Sequence, residues 1–130
     1  QGDGAAGGVV STAADLARLD LALDSGRLLS AQSLALMWRQ GKSSSGSVLP
    51  YGIGWFVEDY QGSRLVWHSG LWEGAYSALY FKIPAERLTL ILLANSDGLR
   101  WDNPLDSAVV ERSTFVQSFL AAFASNRPVQ

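Results

Sequence analysis

The sequence predicts an α+β domain in which a four-stranded antiparallel β meander is combined with two N-terminal helices and one C-terminal helix. Three observations support this prediction. Helix start and stop signals occupy the first third of the chain, residues 51–94 have strand-like alternation with short turns, and an apolar stripe at helical spacing lies near the C-terminus. The 130 residues are about the size of one domain, so residues 1–130 are interpreted as a single unit.

Both N-terminal helices are predicted from their cap residues. Thr12, followed three residues later by Asp15, has the pattern of a capping box, which predicts a helix from there to about residue 25. Ser30 can cap a second helix that runs to about residue 40. A glycine follows each helix and can adopt the left-handed conformation in which helices stop. The expected buried face of the first helix consists of Leu16, Leu19 and Leu23.

Four strands are predicted, over residues 51–60, 64–70, 75–83 and 88–94. The connections between them are too short for parallel crossovers, so the sheet is expected to be antiparallel. The last strand is apolar on both faces, which predicts an interior strand with cover on each side. A helix is then expected from Asp106 or Ser107 to about Ala124, with a buried stripe of Val109, Val116, Phe119, Leu120 and Phe123.

The composition argues against several classes of partner. Ten basic and twelve acidic residues give a net charge of −2, so neither a nucleic-acid surface nor a polybasic membrane anchor is predicted. No apolar run approaches the ~20 residues that a membrane span requires. The chain has no cysteine and one histidine. Its carboxylates lack the spacing of a ligand set, so neither a metal nor another cofactor is expected; the nearest cluster is Asp97, Asp102 and Asp106.

The residues best suited to chemistry are concentrated in residues 65–74, Leu-Val-Trp-His-Ser-Gly-Leu-Trp-Glu-Gly. This stretch holds the only histidine, a hydroxyl and two glycines at the end of an apolar run, a pattern typical of a strand that ends at the rim of a cleft. Spacing alone leaves two interpretations of His68 open, a residue of an active-site wall and a structural histidine with satisfied hydrogen bonds. Ser11 and Thr12 are interpreted as helix-capping residues rather than nucleophiles.

Four motifs carry a resemblance to a known family. They are Gly-Gly-Val-Val-Ser-Thr-Ala-Ala-Asp-Leu at 7–16, Tyr-Gly-Ile-Gly-Trp at 51–55, His-Ser-Gly at 68–70 with Gly74 beyond it, and Leu-Leu-Ala-Asn at 92–95. In this order they resemble the C-terminal portion of the β-lactamase-related serine hydrolases, which include class C β-lactamases, D-alanyl-D-alanine carboxypeptidases and esterases. The resemblance implies a partial β-lactamase or penicillin-binding-protein fold and an exported protein, periplasmic or secreted.

The resemblance also implies roles for the residues around His-Ser-Gly. His68 and Ser69 are expected to face the cleft and to hydrogen-bond the substrate carboxylate or the tetrahedral species. Gly70 leaves room for the acyl group along the strand, and the backbone N–H of Leu71 is expected to be one oxyanion-hole donor. The loop that follows contributes two residues that are either rim aromatics and solvated charges or walls of the substrate pocket, Trp72 and Glu73.

Two catalytic motifs of the family are missing from these residues. Family members attack with a serine in an S-x-x-K pattern and transfer the proton with the help of a tyrosine in a Y-x-N pattern. No serine stands three residues before either lysine, Lys42 or Lys82, and no tyrosine is followed at the second position by asparagine. Since the chain starts with Gln1 and its only methionine is Met37, the simplest interpretation is a C-terminal piece of a longer hydrolase.

Two functions from different classes are compatible with this sequence. The first is part of a serine hydrolase that acts through an acyl-enzyme on an amide, ester or β-lactam, takes a small-molecule or peptide substrate and is inactive as this piece alone. The second is a non-catalytic β-lactamase-like binding module. If the family's N-terminal strands normally complete the sheet, their absence bares an edge, so homodimerisation or aggregation through that edge is expected.

Overall fold

The structure, a computed structural model, describes residues 7–103 and 108–124. In this part of the chain the helices are α1 (Ala13–Asp24), α2 (Ala31–Met37) and α3 (Thr114–Phe123). The strands are β1 (Phe56–Tyr60), β2 (Ser63–Trp72), β3 (Tyr76–Ile83) and β4 (Leu88–Ala94). They form one antiparallel sheet in the order β1-β2-β3-β4. The predicted α+β fold, a four-stranded meander with two N-terminal helices and a C-terminal helix, is confirmed.

The helices α1 and α2 begin at the predicted cap residues. The Thr12 hydroxyl accepts a hydrogen bond from the backbone N–H of Asp15 at 3.1 Å, and the Ser30 hydroxyl accepts one from Ser33 at 3.1 Å. Gly26 follows α1 with a φ of 71°, the left-handed conformation predicted for the helix stop. Local sequence signals therefore account for these helix boundaries.

The segment before β1 differs from its prediction, because residues 51–55 are not part of the strand. Ile53 donates its backbone N–H to the Met37 carbonyl at 2.9 Å, so this segment folds back over the end of α2. A Cβ on Gly52 would lie 2.4 Å from the same carbonyl oxygen, so only glycine allows this approach. The contact also explains why α2 ends at Met37, earlier than predicted, since Ile53 uses the carbonyl that another helical turn would need.

A tight turn joins β1 to β2. It determines which residues of each strand direct their N–H and C=O groups towards the other strand. Gln61 and Gly62 have φ values of 49° and 78°, which define a type I′ turn. In such a hairpin the two flanking residues, Tyr60 and Ser63, exchange both backbone hydrogen bonds. Every second residue of β2, counted from Ser63, therefore directs its N–H and C=O groups towards β1.

One face of the sheet forms the hydrophobic core together with the C-terminal segment. Its buried residues are Phe56, Leu65, Trp67, Leu79, Phe81, Ile83, Ala108, Val110 and Val116. Phe119 and Leu120 pack against this core as predicted, but Phe123 is 63% exposed. The last helix starts only at Thr114, because Ala108 has a φ of 50° and a 3₁₀ turn (Val110–Arg112) precedes it. The predicted start at Asp106 or Ser107 lies outside the described residues.

The opposite face of the sheet binds α1 through a buried ionic cluster. Lys82, with a side chain only 2% exposed, places its ammonium 2.8 Å from Asp20 and 2.8 Å from Asp24. Thr89 donates its hydroxyl to the other oxygen of Asp20 at 2.8 Å, and Tyr80 also donates to this carboxylate. Burial and the Asp20 carboxylate raise the pKa of Tyr80 well above its ordinary value. The cluster ties α1 to both β3 and β4.

This cluster corrects the predicted buried face of α1. Leu23 is buried, but Leu19 is 41% exposed, and Asp20 is buried in its place. The apolar periodicity could not reveal this, because the burial of Asp20 depends on Lys82, which lies 62 residues further along the chain. A buried carboxylate needs a charged or hydrogen-bonding partner.

β4 is an edge strand in the described part of the chain, although the sequence predicted an interior strand. Helices α1 and α3 both contact β4, so its apolar side chains are covered as the sequence predicted. The other sheet edge is partly occupied, because the N–H and C=O groups of Val57 in β1 bond to Pro50 at 3.0 Å and to Gln40 at 2.9 Å. Apolar side chains indicate that the two faces of a strand are covered, but they do not indicate whether other strands pair with both of its edges.

A pair of carboxyl groups lies between β1 and the segment that precedes α3. Glu58 accepts a hydrogen bond from the backbone N–H of Val110 at 3.3 Å. Burial, then the hydrogen bond and charge of the neighbouring Glu111 carboxyl, raise the pKa of Glu58 from 4.5 to about 8. At neutral pH the folded chain therefore keeps a proton on Glu58 that the unfolded chain releases.

We expect the free energy of unfolding to fall as the pH rises from 4.5 to about 8, because the folded state binds the Glu58 proton more tightly than the unfolded state. Glu58→Gln keeps a neutral hydrogen-bonding side chain and should flatten this dependence. Urea unfolding followed by tryptophan fluorescence across this pH range measures it. Glu73→Gln, at a side chain 84% exposed, is the control and should keep the wild-type slope. Identical slopes for Glu58→Gln and the wild type would contradict the expectation.

Candidate functional site

The second half of β2 extends beyond its partner β1. The last pair in the β1–β2 register is Phe56 opposite Trp67, whereas the β2–β3 register continues to Trp72 opposite Tyr76. Residues 68–72 therefore have a strand partner on one side only within the described chain. We call this side of residues 68–72 the open edge of β2.

Two residues direct their backbone groups out of the open edge. Ser63 faces β1 with both its N–H and C=O groups, and the alternation repeats every second residue. The backbone groups of Ser69 and Leu71 therefore point to the β1 side, where the register gives neither residue a strand partner. The N–H of Leu71, the predicted oxyanion-hole donor, is thus outside the hydrogen-bond ladder of the sheet.

The side chains of His68 and Ser69 lie on opposite faces of the sheet, because successive strand residues alternate. Ser69 is in register with Leu79 on the face of the hydrophobic core, and His68 is in register with Tyr80 on the face of α1. No single face of the sheet presents both side chains. The open edge of β2 is where one bound molecule could reach both of them.

His68 is exposed and contacts a tyrosine that the sequence assigned only to a strand. Its Nε2 lies 3.0 Å from the hydroxyl oxygen of Tyr51, and the two rings are steeply inclined, with centroids 6.0 Å apart. Tyr51 is the first residue of the Tyr-Gly-Ile-Gly-Trp motif. That motif was a signal of the family, but only the fold-back of residues 51–55 brings its tyrosine to His68.

A cleft of about 670 Å³ opens on the Ser69 side of the sheet. Its floor includes Ser69 and Leu71 of β2 and Ser77 of β3, and its wall is the loop of residues 99–103. Ser77 holds this loop in place, because its hydroxyl donates to the Ser96 carbonyl at 2.6 Å and accepts from the N–H of Leu99 at 3.2 Å. The cleft therefore has a defined wall next to the open edge.

Two contacts connect the β2–β3 turn to the loop after β4 at the mouth of the cleft. The backbone N–H of Gly74 donates to the Asp97 carboxylate at 3.3 Å, and the Arg100 guanidinium lies 3.8 Å from the Glu73 carboxylate. The Arg100 and Glu73 side chains are 62% and 84% exposed, so this ion pair is weak and easily exchanged. Glu73 therefore lies beside Arg100, a residue that lines the cleft.

Arg100 is a candidate site residue that the sequence did not reveal. It is the one cationic residue among the described residues that line the cleft. An arginine in a polar loop gives no pattern by which it could be singled out. Its position depends on the path of residues 95–103 back across the sheet.

Of the two remaining predicted residues, Gly70 lines the same cleft, whereas Trp72 directs its side chain to the His68 face. Trp72, which the sequence assigned to the loop after the strand, is instead the last residue of β2; it is 49% exposed and packs against Tyr76, with ring centroids 6.1 Å apart. A Cβ on Gly70 would meet nothing closer than the Ala78 side chain at 4.0 Å, so the described chain has no steric need for glycine there. The space above Gly70 is open for a bound group.

Among residues 7–103 and 108–124, no group of three or more histidine, cysteine, aspartate or glutamate side chains is arranged to bind a metal ion. Within the same ranges, none of the helices has both the length and the apolar character of a membrane span.

A sheet with helices on both faces, and a His-Ser-Gly strand open along one edge, is the arrangement expected for the β-lactamase class of serine hydrolases. The family model described as Beta-lactamase matches residues 1–113, so the chain belongs to this family. It is similar to Penicillin-binding protein 4* of Bacillus subtilis (strain 168), with 35% identity over 98 residues, 75% of this chain and 21% of that protein. The chain thus spans about one fifth of the length of this relative. The family resemblance read from the four motifs is confirmed.

Proposed function

We propose that the chain is the C-terminal part of a serine hydrolase that acts through an acyl-enzyme on an amide, ester or β-lactam. Its contribution to the active site is the His-Ser-Gly strand. The observation that carries this proposal is the open edge of β2, where the backbone groups of Ser69 and Leu71 point away from the sheet. The match to the Beta-lactamase family and the partial coverage of its relative support it.

In this proposal the acyl group of the substrate lies along the open edge of β2, over Gly70. The backbone N–H of Leu71 donates to the oxyanion of the tetrahedral species. An oxyanion-hole donor of this kind contributes about 3 kcal/mol to transition-state stabilisation. His68 and Ser69 reach the substrate carboxylate or the tetrahedral species from the two faces of the strand, and Trp72 and Glu73 contribute to the pocket rim.

The nucleophile and its proton-transfer partners belong to another part of the protein in this proposal. These 130 residues contain no S-x-x-K and no Y-x-N pattern. Family members use these groups for attack and proton transfer. We place both motifs upstream of Gln1, where the second oxyanion-hole donor, the N–H of the nucleophile itself, also resides.

The isolated chain should not hydrolyse a chromogenic cephalosporin or an activated ester, because no acyl-enzyme can form without the nucleophile. Product release measured by absorbance should match that of a heat-denatured control at the same concentration. Turnover above this control, proportional to the concentration of folded chain, would show that the chain contains a nucleophile of its own.

In the full-length protein, Leu71→Pro should lower kcat about 100-fold, the typical effect of losing one oxyanion-hole donor. The exchange removes an N–H that lies outside the ladder, so the strand should keep its pairing with β3. Leu71→Ala is the matched control, because it removes the side chain and keeps the N–H, and it should retain most of kcat. Equal losses in both variants would mean that the backbone donor does not act in the reaction.

The second candidate function is a non-catalytic β-lactamase-like binding module. It is favoured by one observation, the absence of both catalytic motifs from these residues. The coding frame upstream of Gln1 separates the two candidates. An S-x-x-K followed by a Y-x-N would support the hydrolase, and a frame without them would leave the binding module.

We further propose that the isolated chain forms a homodimer through β4. The alternation set by the hairpins directs the backbone groups of Thr89, Ile91 and Leu93 away from β3, and no described strand pairs with them. β4 carries no charged residue along its seven positions, so the strand itself lacks the charges that oppose edge pairing. The outer edge of β1 is less accessible, since Gln40 and Pro50 bond to its backbone.

Sedimentation equilibrium should therefore show a concentration-dependent dimer, and Ile91→Pro should shift the chain to a monomer. The proline removes an outward N–H of the edge and leaves the β3–β4 ladder intact. Ile91→Ala controls for the loss of the side chain and should still dimerise. A wild-type chain that remains monomeric at high protein concentration would count against pairing through β4.

A further inference from the structure

The contact between Tyr51 and His68 joins two motifs that lie 17 residues apart. Tyr51 is held by its own backbone, because its carbonyl accepts the N–H of Gly41 at 2.8 Å and the residue forms an antiparallel bridge with Phe56. Its ring also packs edge-on against Phe56, with centroids 4.7 Å apart. These contacts hold Tyr51 in the position from which its hydroxyl reaches the imidazole of His68.

The next residue along the chain strengthens this support. Gly52 lies so close to the Met37 carbonyl that a Cβ would be 2.4 Å from its oxygen, and it donates its own N–H to the Trp55 carbonyl at 2.7 Å. Residues 51–55 are thus clamped between the end of α2 and the start of β1. These backbone contacts hold the Cα of Tyr51, and the edge-on contact with Phe56 orients the ring that carries the hydroxyl.

Tyr80 is the other tyrosine close to His68, since the two residues are directly opposite each other in the β2–β3 register. Its hydroxyl donates to Asp20, in the buried ionic cluster with Lys82. The Tyr80 hydroxyl is therefore already hydrogen-bonded to α1. Tyr51 supplies the hydroxyl that reaches the imidazole.

The direction of the hydrogen bond follows from the chemistry of the two groups. A neutral imidazole has one nitrogen that donates and one that accepts, and its accepting nitrogen is a much better acceptor than a phenol oxygen. A phenol, with a pKa of about 10, is also a stronger donor than a neutral imidazole N–H. These preferences favour donation from the Tyr51 hydroxyl to Nε2, which places the imidazole proton on Nδ1.

We propose that Tyr51 is a positioning residue that holds His68 as the Nδ1–H tautomer, with Nδ1–H as the donor offered to the substrate. Its catalytic consequence rests on the proposed hydrolase function, in which His68 hydrogen-bonds a substrate oxygen. The tautomer itself is a property of the free chain. It can therefore be tested without substrate, without the nucleophile and without activity.

The test is a long-range ¹H–¹⁵N correlation spectrum of the untagged, ¹⁵N-labelled chain at about pH 8.5, well above the ordinary histidine pKa of about 6.5. His68 is the only histidine, so every imidazole signal belongs to it. The wild type should show the pattern of a protonated Nδ1 and an unprotonated Nε2. Tyr51→Phe keeps the ring and removes the hydroxyl, and it should shift the population towards the Nε2–H tautomer that free histidine favours in water.

Tyr76→Phe is the matched control, because Tyr76 is an exposed tyrosine that packs on Trp72 and not on His68. Its imidazole spectrum should equal that of the wild type. A wild-type spectrum dominated by Nε2–H would overturn the proposal without any variant, as would a Tyr51→Phe spectrum that is unchanged. Failure of the proposed hydrolase function would appear separately, as a full-length wild-type protein that releases no product from a chromogenic cephalosporin or an activated ester.

Discussion

The unequal lengths of β1 and β2 are the constraint on which the candidate site depends. A type I′ turn sets the backbone alternation of β2, and the β1–β2 register stops at Trp67. Past that residue, β3 alone holds the strand, so the N–H and C=O groups of Ser69 and Leu71 remain outside the ladder. An extended acyl or peptide group can pair with such an edge as another strand would. The cleft wall and the Tyr51–His68 contact then surround this edge from the two faces of the sheet.

Different interactions stabilise the two faces of the sheet. On the core face, Trp67 stacks on Phe56, with ring centroids 4.2 Å apart, and apolar packing against α3 stabilises the strand. On the α1 face, Lys82 and Asp20 form a nearly buried ion pair that links a helix to the strand beside His68. Removing one partner of such a pair typically costs about 3–5 kcal/mol, because the other charge is left uncompensated. The site strand thus depends on both apolar packing and a paired charge.

Local chemistry made much of this fold predictable. The caps at Thr12 and Ser30 were readable because a short polar side chain binds a backbone N–H only three residues away. β4 matched its predicted bounds because the turn residues on either side mark it clearly. The failures have a different origin. The β1 start and the α2 end were missed because both depend on one contact, between Ile53 and Met37, which neither periodicity nor capping signals encode.

The sequence by itself placed the His-Ser-Gly segment near the end of a strand and carried the family resemblance. It also showed that S-x-x-K and Y-x-N are absent from these residues. These depend only on residue types and on their spacing. The tertiary structure decided which side of β2 is open, which tyrosine meets His68 and where Arg100 lies. Each of these depends on where a turn or loop returns to the sheet, and such long-range contacts leave no period in the sequence.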